Sequence, residues 1–248
     1  MNMLLLDDDV ELHSQYIVLK NKRQIQHVTD VLNAQVGEAI KVGWKNGERF
    51  VAEILALSVD QIRLSPQQQH EQMAAKHDIH FAVQPPAKLP VTLILALPRP
   101  KVLRRVIQDS VSMGVEKIVI CQSYFVEKSY WQSPILQQLD DAIRTGLEQA
   151  QDTIVPEIVF EKRFKPFVED SLAQWITADK PAFVAHPYAE QSLASQAQAC
   201  FLVIGCERGF TPYEIDLLQR NGCQIRQFGQ RILRTETSVA YALGRMFA

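Results

Sequence analysis

The chain has 248 residues, with 26 Lys and Arg against 28 Asp and Glu, a formal net charge of −2. With 47% hydrophobic and 22% charged residues, 10 Gly and 12 Pro, it is neither collagen-like, low in complexity nor intrinsically disordered. The length suits one large domain or two small ones. The near-neutral balance means that any contact with nucleic acid must come from locally clustered positive charge.

Residues Met1 to Leu6 carry no cation and run into Asp7, Asp8 and Asp9, which fits neither a signal peptide nor a spanning segment, so cytoplasm is the expected compartment. Residues 1–65 read as β-rich, with apolar stretches at 16–19, 39–44, 50–57 and 61–64. Asn46-Gly47 predicts a type I′ hairpin turn, because both residues tolerate positive φ and apolar runs flank them. One short helix is expected at 27–32, and a small barrel follows from the pattern. Between 65 and 90 the chain is rich in Gln, His and Pro and reads as a semi-rigid connection. The expected organisation is therefore a β-barrel domain at 1–75, a linker at 76–90 and a second domain at 91–248.

From Val91 the pattern changes. The run 91–97 is wholly apolar and suits a strand buried on both faces. A helix follows with Val102, Leu103, Val106, Ile107, Ser110 and Val111 on one face, then a strand at 117–121, a helix at 135–150 and a strand at 154–160. Further strands are expected at 182–185, 200–205 and 224–228. The helix after Gly209 carries Thr211 as N-cap, Pro212 at its first position, Glu214 to complete a capping box and Gly222 beyond its end. A last helix starts near Thr235. Such alternation predicts an α/β domain with a mostly parallel sheet.

Cys121, Cys200, Cys206 and Cys223 are widely spaced without CxxC pairing, so buried free thiols are expected rather than disulfides or a zinc cage. The histidines show no metal-ligand spacing, His77 and His80 read as linker surface, and no metal is expected. Ligands of open α/β sheets bind beyond the carboxyl ends of the strands. Two loops there stand out: Ile204-Gly205-Cys206-Glu207-Arg208-Gly209, and Gly229-Gln230-Arg231-Ile232-Leu233-Arg234-Thr235-Glu236-Thr237. Neither is a GxGxxG nor a P-loop, which disfavours a dinucleotide-dependent oxidoreductase or a nucleoside triphosphatase.

These two loops resemble the RsmE branch of the SPOUT methyltransferases, in which the first reads Ile-Gly-Pro-Glu-Gly-Gly and the second Leu-Gly-x-Arg-Ile/Val-Leu-Arg-Thr-Glu-Thr-Ala. Weaker similarities lie at Gln108 with Gly114-Val115, at Glu148-Gln149 followed by Val155-Pro156-Glu157-Ile158, at His186-Pro187, and at His27 with Val31-Leu32. The resemblance spans nearly the whole chain. It implies a PUA-like, RNA-binding β-barrel followed by a SPOUT domain: a parallel sheet with helices on both faces, its carboxyl-terminal segment threaded into a trefoil knot.

The activity implied is methylation of N3 of a uridine in small-subunit (16S) ribosomal RNA with S-adenosylmethionine as cofactor, by a cytoplasmic homodimer whose partner is the RNA or the assembled small subunit. Ile204, Gly205, Gly209, Phe228, Gly229, Ile232, Leu233 and Thr235 would hold the cofactor, the glycines letting backbone approach it and Ile232 and Leu233 giving apolar walls. Arg234 is the candidate cation that stabilises deprotonated uracil, and Glu207 the candidate base or orienting carboxylate. Arg231, Arg208 and Arg104 are the candidate RNA contacts. Glu236 reads as a first-turn carboxylate that favours the last helix, and Cys206 as a structural thiol.

The sequence departs from the family at Cys206 and Arg208, where Pro and Gly are usual, and at Asn33, Asp109 and Asp152, where cations are usual. An arginine forced to positive φ at 208 would be strained by about 1 kcal/mol; alternatively Arg208 adds a phosphate contact. Two other readings stay open: a divergent paralogue that acts on another RNA, and an RNA- or ribosome-binding protein without activity. The apolar last helix, with Val239, Ala240, Leu243, Met246 and Phe247, is a candidate for part of the dimer contact.

Overall fold

Three consecutive leucines, Leu4–Leu6, form β1, a buried strand absent from the sequence-derived pattern because a run of three carries no periodicity. The computed structural model describes residues 2–7, 9–65 and 84–247, so His77, His80 and residues 76–83 of the expected linker lie outside the described residues. The chain divides into two units, one of Met1–Ala87 with Leu147–Val155, the other of Lys88–Gly146 with Pro156–Ala248.

In the first unit β1 runs parallel to β4 (Ala39–Trp44), and β4 is antiparallel to β5 (Arg49–Leu57). The sheet continues through β6 (Ile62–Leu64) and β3 (Ile17–Leu19) to the edge strand β2 (Glu11–Leu12). A register shift between Ile54 and Ala56 curls this sheet in the way a small PUA-like barrel requires. Leu4, Leu6, Leu19, Val42, Ile54, Ile62 and Leu64 fill its core. The helix α1 (Lys22–Gln26) starts before the expected residue 27 because Asn21 caps it, its side chain accepting from the Arg23 N–H at 3.0 Å. It runs on through a wider π turn at His27–Val31.

The Asn46-Gly47 turn differs from the expectation. Asn46 has φ +58°, but Gly47 is not at positive φ, and the loop closes over three residues, with the Gly47 N–H donating to Trp44 O (2.8 Å) and the Trp44 N–H to Glu48 O (3.0 Å). A type I′ turn needs two positive φ angles. Segment 153–155 clamps the turn instead: the Asn46 N–H donates to Thr153 O (2.8 Å), and Asn46 Oδ1 accepts from the Val155 N–H (2.9 Å).

The first unit also holds an ion pair between a buried carboxylate and a partly exposed guanidinium. Glu148, 1% exposed, accepts two bonds from the Arg23 guanidinium (2.8 and 3.1 Å) and lies 3.5 Å from His27 Nδ1. Its main-chain oxygen accepts from the Met3 N–H at 3.0 Å. Segments separated by more than a hundred residues are thereby joined around one buried carboxylate.

The second unit holds six parallel strands in the order β12-β10-β11-β7-β8-β9, flanked by helices. β7 (Leu89–Ala96) and β11 (Cys200–Ile204) are central and buried; β8 (Val115–Cys121) and β9 (Glu157–Glu161) follow on one side, β10 (Ala182–Ala185) and β12 (Gln224–Arg226) on the other. α2 (Pro100–Ser112) buries Leu103, Val106, Ile107, Ser110 and Val111, the face read from its periodicity except for Val102, which is only partly buried at the first turn. All four cysteines are free and buried.

Several expected boundaries move for identifiable reasons. Pro134, with Ser133 capping the Ile135 N–H, opens a 3₁₀ turn over Pro134–Gln138, so α3 covers only Leu139–Ala150. β9 starts at Glu157 rather than 154, because side chains, Asp152 for Ile154 and Asn46 for Val155, satisfy the preceding amides. β12 ends at Arg226, since the Gln227 N–H turns aside to Gln191 O at 2.9 Å. An irregular helical run at 164–175 was not expected. α4 (Pro212–Arg220) begins at the anticipated capping box: Thr211 Oγ1 accepts from the Glu214 N–H (3.2 Å), and Glu214 Oε2 accepts from the Thr211 N–H (2.8 Å). α5 (Thr235–Phe247) packs on α2, and its Val239, Leu243 and Met246 are buried within the chain. Those three side chains therefore serve the fold and are not available to a partner.

Candidate functional site

Three adjacent parallel strands, β12, β10 and β11, end side by side, and the chain leaves each through a loop. A cavity of about 310 Å³ opens there. It is lined by Ala185 at the end of β10 and the residues that follow to Tyr188, by Ile204 at the end of β11 and the residues that follow to Phe210, and by Gln227, Phe228, Gly229, Arg231, Ile232, Leu233, Thr235 and Ser238 after β12. The carboxyl ends of parallel strands are where open α/β sheets hold ligands. Both loops singled out in the sequence, although 24 residues apart at their glycines (205 and 229), form one site.

The first loop is a tight turn. The Gly209 N–H donates to Cys206 O (2.8 Å), and a Cβ placed on Gly205 would fall 2.8 Å from Gly209 Cα. Only a residue without a side chain allows this approach. The positive φ falls on Gly209 (+71°), not on Arg208, so the strain expected for an arginine at 208 does not arise. Arg208 instead places its guanidinium 4.2 Å from the centre of the Phe125 ring, an attractive stacking of cation on aromatic face. Glu214 Oε1 accepts from the Tyr124 N–H (2.8 Å), which fixes the 124–125 segment to the start of α4.

In the second loop Gly229 adopts φ +143°, and a Cβ there would meet no atom within 4 Å, so its backbone borders open space. Phe228 is half-buried against Tyr241, and Thr235 is buried at the first turn of α5. Ile232, expected as an interior wall, is 72% exposed at the mouth. Glu236 sits in the first turn of α5, where a carboxylate favours the positive helix end.

Of the residues read from the sequence, Ile204, Gly205, Glu207, Arg208, Gly209, Phe228, Gly229, Arg231, Ile232, Leu233 and Thr235 line the cavity. Arg234 and Arg104 do not. Arg234 is exposed at the start of α5, its carbonyl accepting from the Ser238 N–H at 2.7 Å, and Arg104 lies on the exposed face of α2. Glu207 Oε1 accepts from the Arg99 N–H at 2.9 Å, anchoring that carboxylate to the N-terminus of α2. Sequence reading did not place Tyr188, Phe210, Gln227 or Ser238 in the site; the strand pattern at 182–185 followed by His186-Pro187 was the available signal for that wall. His186 Nδ1 accepts from the Tyr188 N–H (3.3 Å), and burial lowers the pKa of its imidazole. Burial also pushes the Cys206 thiol up, which keeps it protonated and poorly nucleophilic.

A parallel sheet whose strand ends enclose a partly apolar, glycine-edged cavity is the architecture of a small-ligand-binding α/β domain. The family model of the RNA methyltransferase domain matches residues 85–247, and the chain belongs to that family. It is 26% identical to ribosomal RNA small subunit methyltransferase E of Treponema pallidum, an alignment that covers 100% of this chain and 91% of that protein. The fold is shared with the same-named enzyme of Neisseria gonorrhoeae, solved bound to S-adenosylmethionine (TM-score 0.72, 18% identity, 98% of this chain and 95% of that one). A methyltransferase from Legionella pneumophila, also solved with this cofactor, superposes with a TM-score of 0.73 at 21% identity, covering 98% and 96% of the two chains.

Proposed function

We propose that this RNA methyltransferase uses S-adenosylmethionine to methylate N3 of a uridine in small-subunit ribosomal RNA. The observation that carries the reading is the convergence of both motif loops on one cavity at the strand ends. The residues suit that cofactor: open backbone at Gly209 and Gly229, apolar side chains at Ile204, Phe228 and Leu233, and a volume in the range of small-molecule sites. Ile204, Gly205, Gly209, Phe228, Gly229, Ile232, Leu233 and Thr235 would hold it. When bound, the cofactor supplies an electrophilic sulfonium methyl group.

The protein's task is then to align the acceptor nitrogen and to stabilise its charge. Uracil N3 carries a proton that must leave before the nitrogen can attack. Arg234, beside the cavity in sequence and exposed, is assigned the cation that favours the deprotonated ring. Glu207, its Oε1 anchored on the Arg99 N–H, is assigned either the acceptor of that proton or, where water takes the proton, the carboxylate that orients the ring. Arg231 and Arg208 at the rim and Arg104 on α2 would meet RNA phosphates, which suits arginine's planar fork. The reading includes a homodimer located with the ribosomal RNA in the cytoplasm.

Calorimetric titration of the purified chain with S-adenosylmethionine tests it. Saturable one-site binding that Gly229→Val abolishes is expected; a folded, cofactor-free protein with no binding, alone or with small-subunit RNA present, refutes it.

A further inference from the structure

Two side chains at the cavity mouth have chemistry that a cofactor pocket does not need. Tyr188 lines the cavity yet is 78% exposed, so its ring contributes little to the core. The turn that carries it is ordered: the Tyr188 N–H donates to His186 Nδ1 (3.3 Å), the Ala189 N–H donates to His186 O (3.2 Å), and the His186 and Tyr188 rings meet edge to face with centroids 5.8 Å apart. Arg208 lines the same cavity, exposed, with its planar cation held over Phe125 at 4.2 Å. An exposed aromatic face is a surface on which an unpaired base stacks, and a guanidinium lining the same cavity has the planar fork that suits a phosphate.

From these positions we infer that Tyr188 and Arg208 form a clamp for a single unpaired nucleotide, Tyr188 stacking on the base and Arg208 holding the adjoining phosphate. The inference rests on the reading of the cavity as the site of uridine methylation. N3 lies on the pairing edge of uracil, so the base must leave its pair and stack before the nitrogen can enter the cavity. An exposed ring at the mouth offsets part of that unstacking. Its face is indifferent to base identity, so the clamp sets affinity for a displaced base rather than the choice of uridine.

The test uses the full chain and two assays. In the first, binding of a fluorescent single-stranded oligouridine is followed over a range of salt concentrations; in the second, methyl transfer to small-subunit ribosomal RNA is followed at saturating cofactor. Tyr188→Ala is expected to weaken oligouridine binding and raise KM for RNA roughly 5- to 100-fold with kcat little changed, the scale of losing one base stack. Tyr188→Phe should restore both, and Arg208→Ala should flatten the salt dependence of binding. Calorimetry with S-adenosylmethionine should give the same affinity for Tyr188→Ala and wild type. Unchanged oligouridine binding and KM in Tyr188→Ala overturn the clamp, as does a loss of cofactor affinity as large as the loss for RNA. If oligouridine binding falls as expected but wild type methylates no uridine, the clamp stands and the functional reading fails.

Discussion

Substituting Gly205 by alanine adds one methyl group at the tightest point of the site. That carbon would lie 2.8 Å from Gly209 Cα and 2.9 Å from Gly209 C, both backbone atoms that no side-chain rotation can move. Relief requires widening the 206–209 turn, which sacrifices the 2.8 Å bond from the Gly209 N–H to Cys206 O and shifts the backbone that borders the cavity. Overpacking of this kind costs about 1–3 kcal/mol, and at about 2–4 °C per kcal/mol for a chain of this size Tm should fall by about 2–12 °C. The displaced turn should also weaken S-adenosylmethionine binding by about tenfold or more, equivalent to about 1.4 kcal/mol. Gly244→Ala is the control: it lies in α5, its Cβ meets nothing within 4 Å, and helix propensity should leave Tm unchanged or slightly raised. Thermal melts and calorimetry on the three proteins decide the matter. A Gly205→Ala protein with wild-type Tm and wild-type cofactor affinity would refute the close-approach argument.

Three further outcomes are expected. Arg234→Ala should lose most methyl transfer while calorimetry shows intact cofactor binding, because the side chain lies outside the cavity wall; full activity in a folded variant removes Arg234 from the mechanism. Glu148→Ala should lower stability by about 1–3 kcal/mol in urea unfolding, the scale of losing hydrogen bonds to a charged group, since it removes the bidentate partner of the Arg23 guanidinium; an unchanged urea midpoint contradicts this. Burial holds the Cys200 thiol protonated to about 11 and that of Cys223 to about 12, against an ordinary 9.0. Above pH 9 the folded state therefore binds more protons than the unfolded one, so that share of stability, complete below pH 9, is lost as pH rises toward 11–12. The urea midpoint should fall over that interval, and less steeply in Cys223→Ala than in wild type.

Sequence and structure agree most closely where a signal is local. The capping box at Thr211 and Glu214, the buried face of α2 and the parallel character of the second sheet all depend on residues within a few positions of one another. The cavity was legible from two glycine-bearing loops, but its third wall at 185–188 was not, because the order β12-β10-β11 is a long-range pairing that periodicity cannot carry. The same reason hid Leu147–Val155, which belongs with the first unit through backbone and side-chain bonds to residues at least 100 positions away, such as Asn46 and Arg49. Arg208 is instructive in another way. Strain was anticipated at that residue because the family has glycine there, yet the left-handed conformation is taken by the neighbouring Gly209, and the arginine is free to stack on Phe125.

The central claim is most directly tested at the product. Purified protein is incubated with S-adenosylmethionine carrying an isotope-labelled methyl group and with small subunits or small-subunit RNA from a strain lacking this gene, and the RNA is digested to nucleosides for mass spectrometry. The account predicts one new labelled nucleoside, 3-methyluridine, that disappears with Arg234→Ala. Label on a different nucleoside, or none from a protein that binds the cofactor, would contradict it.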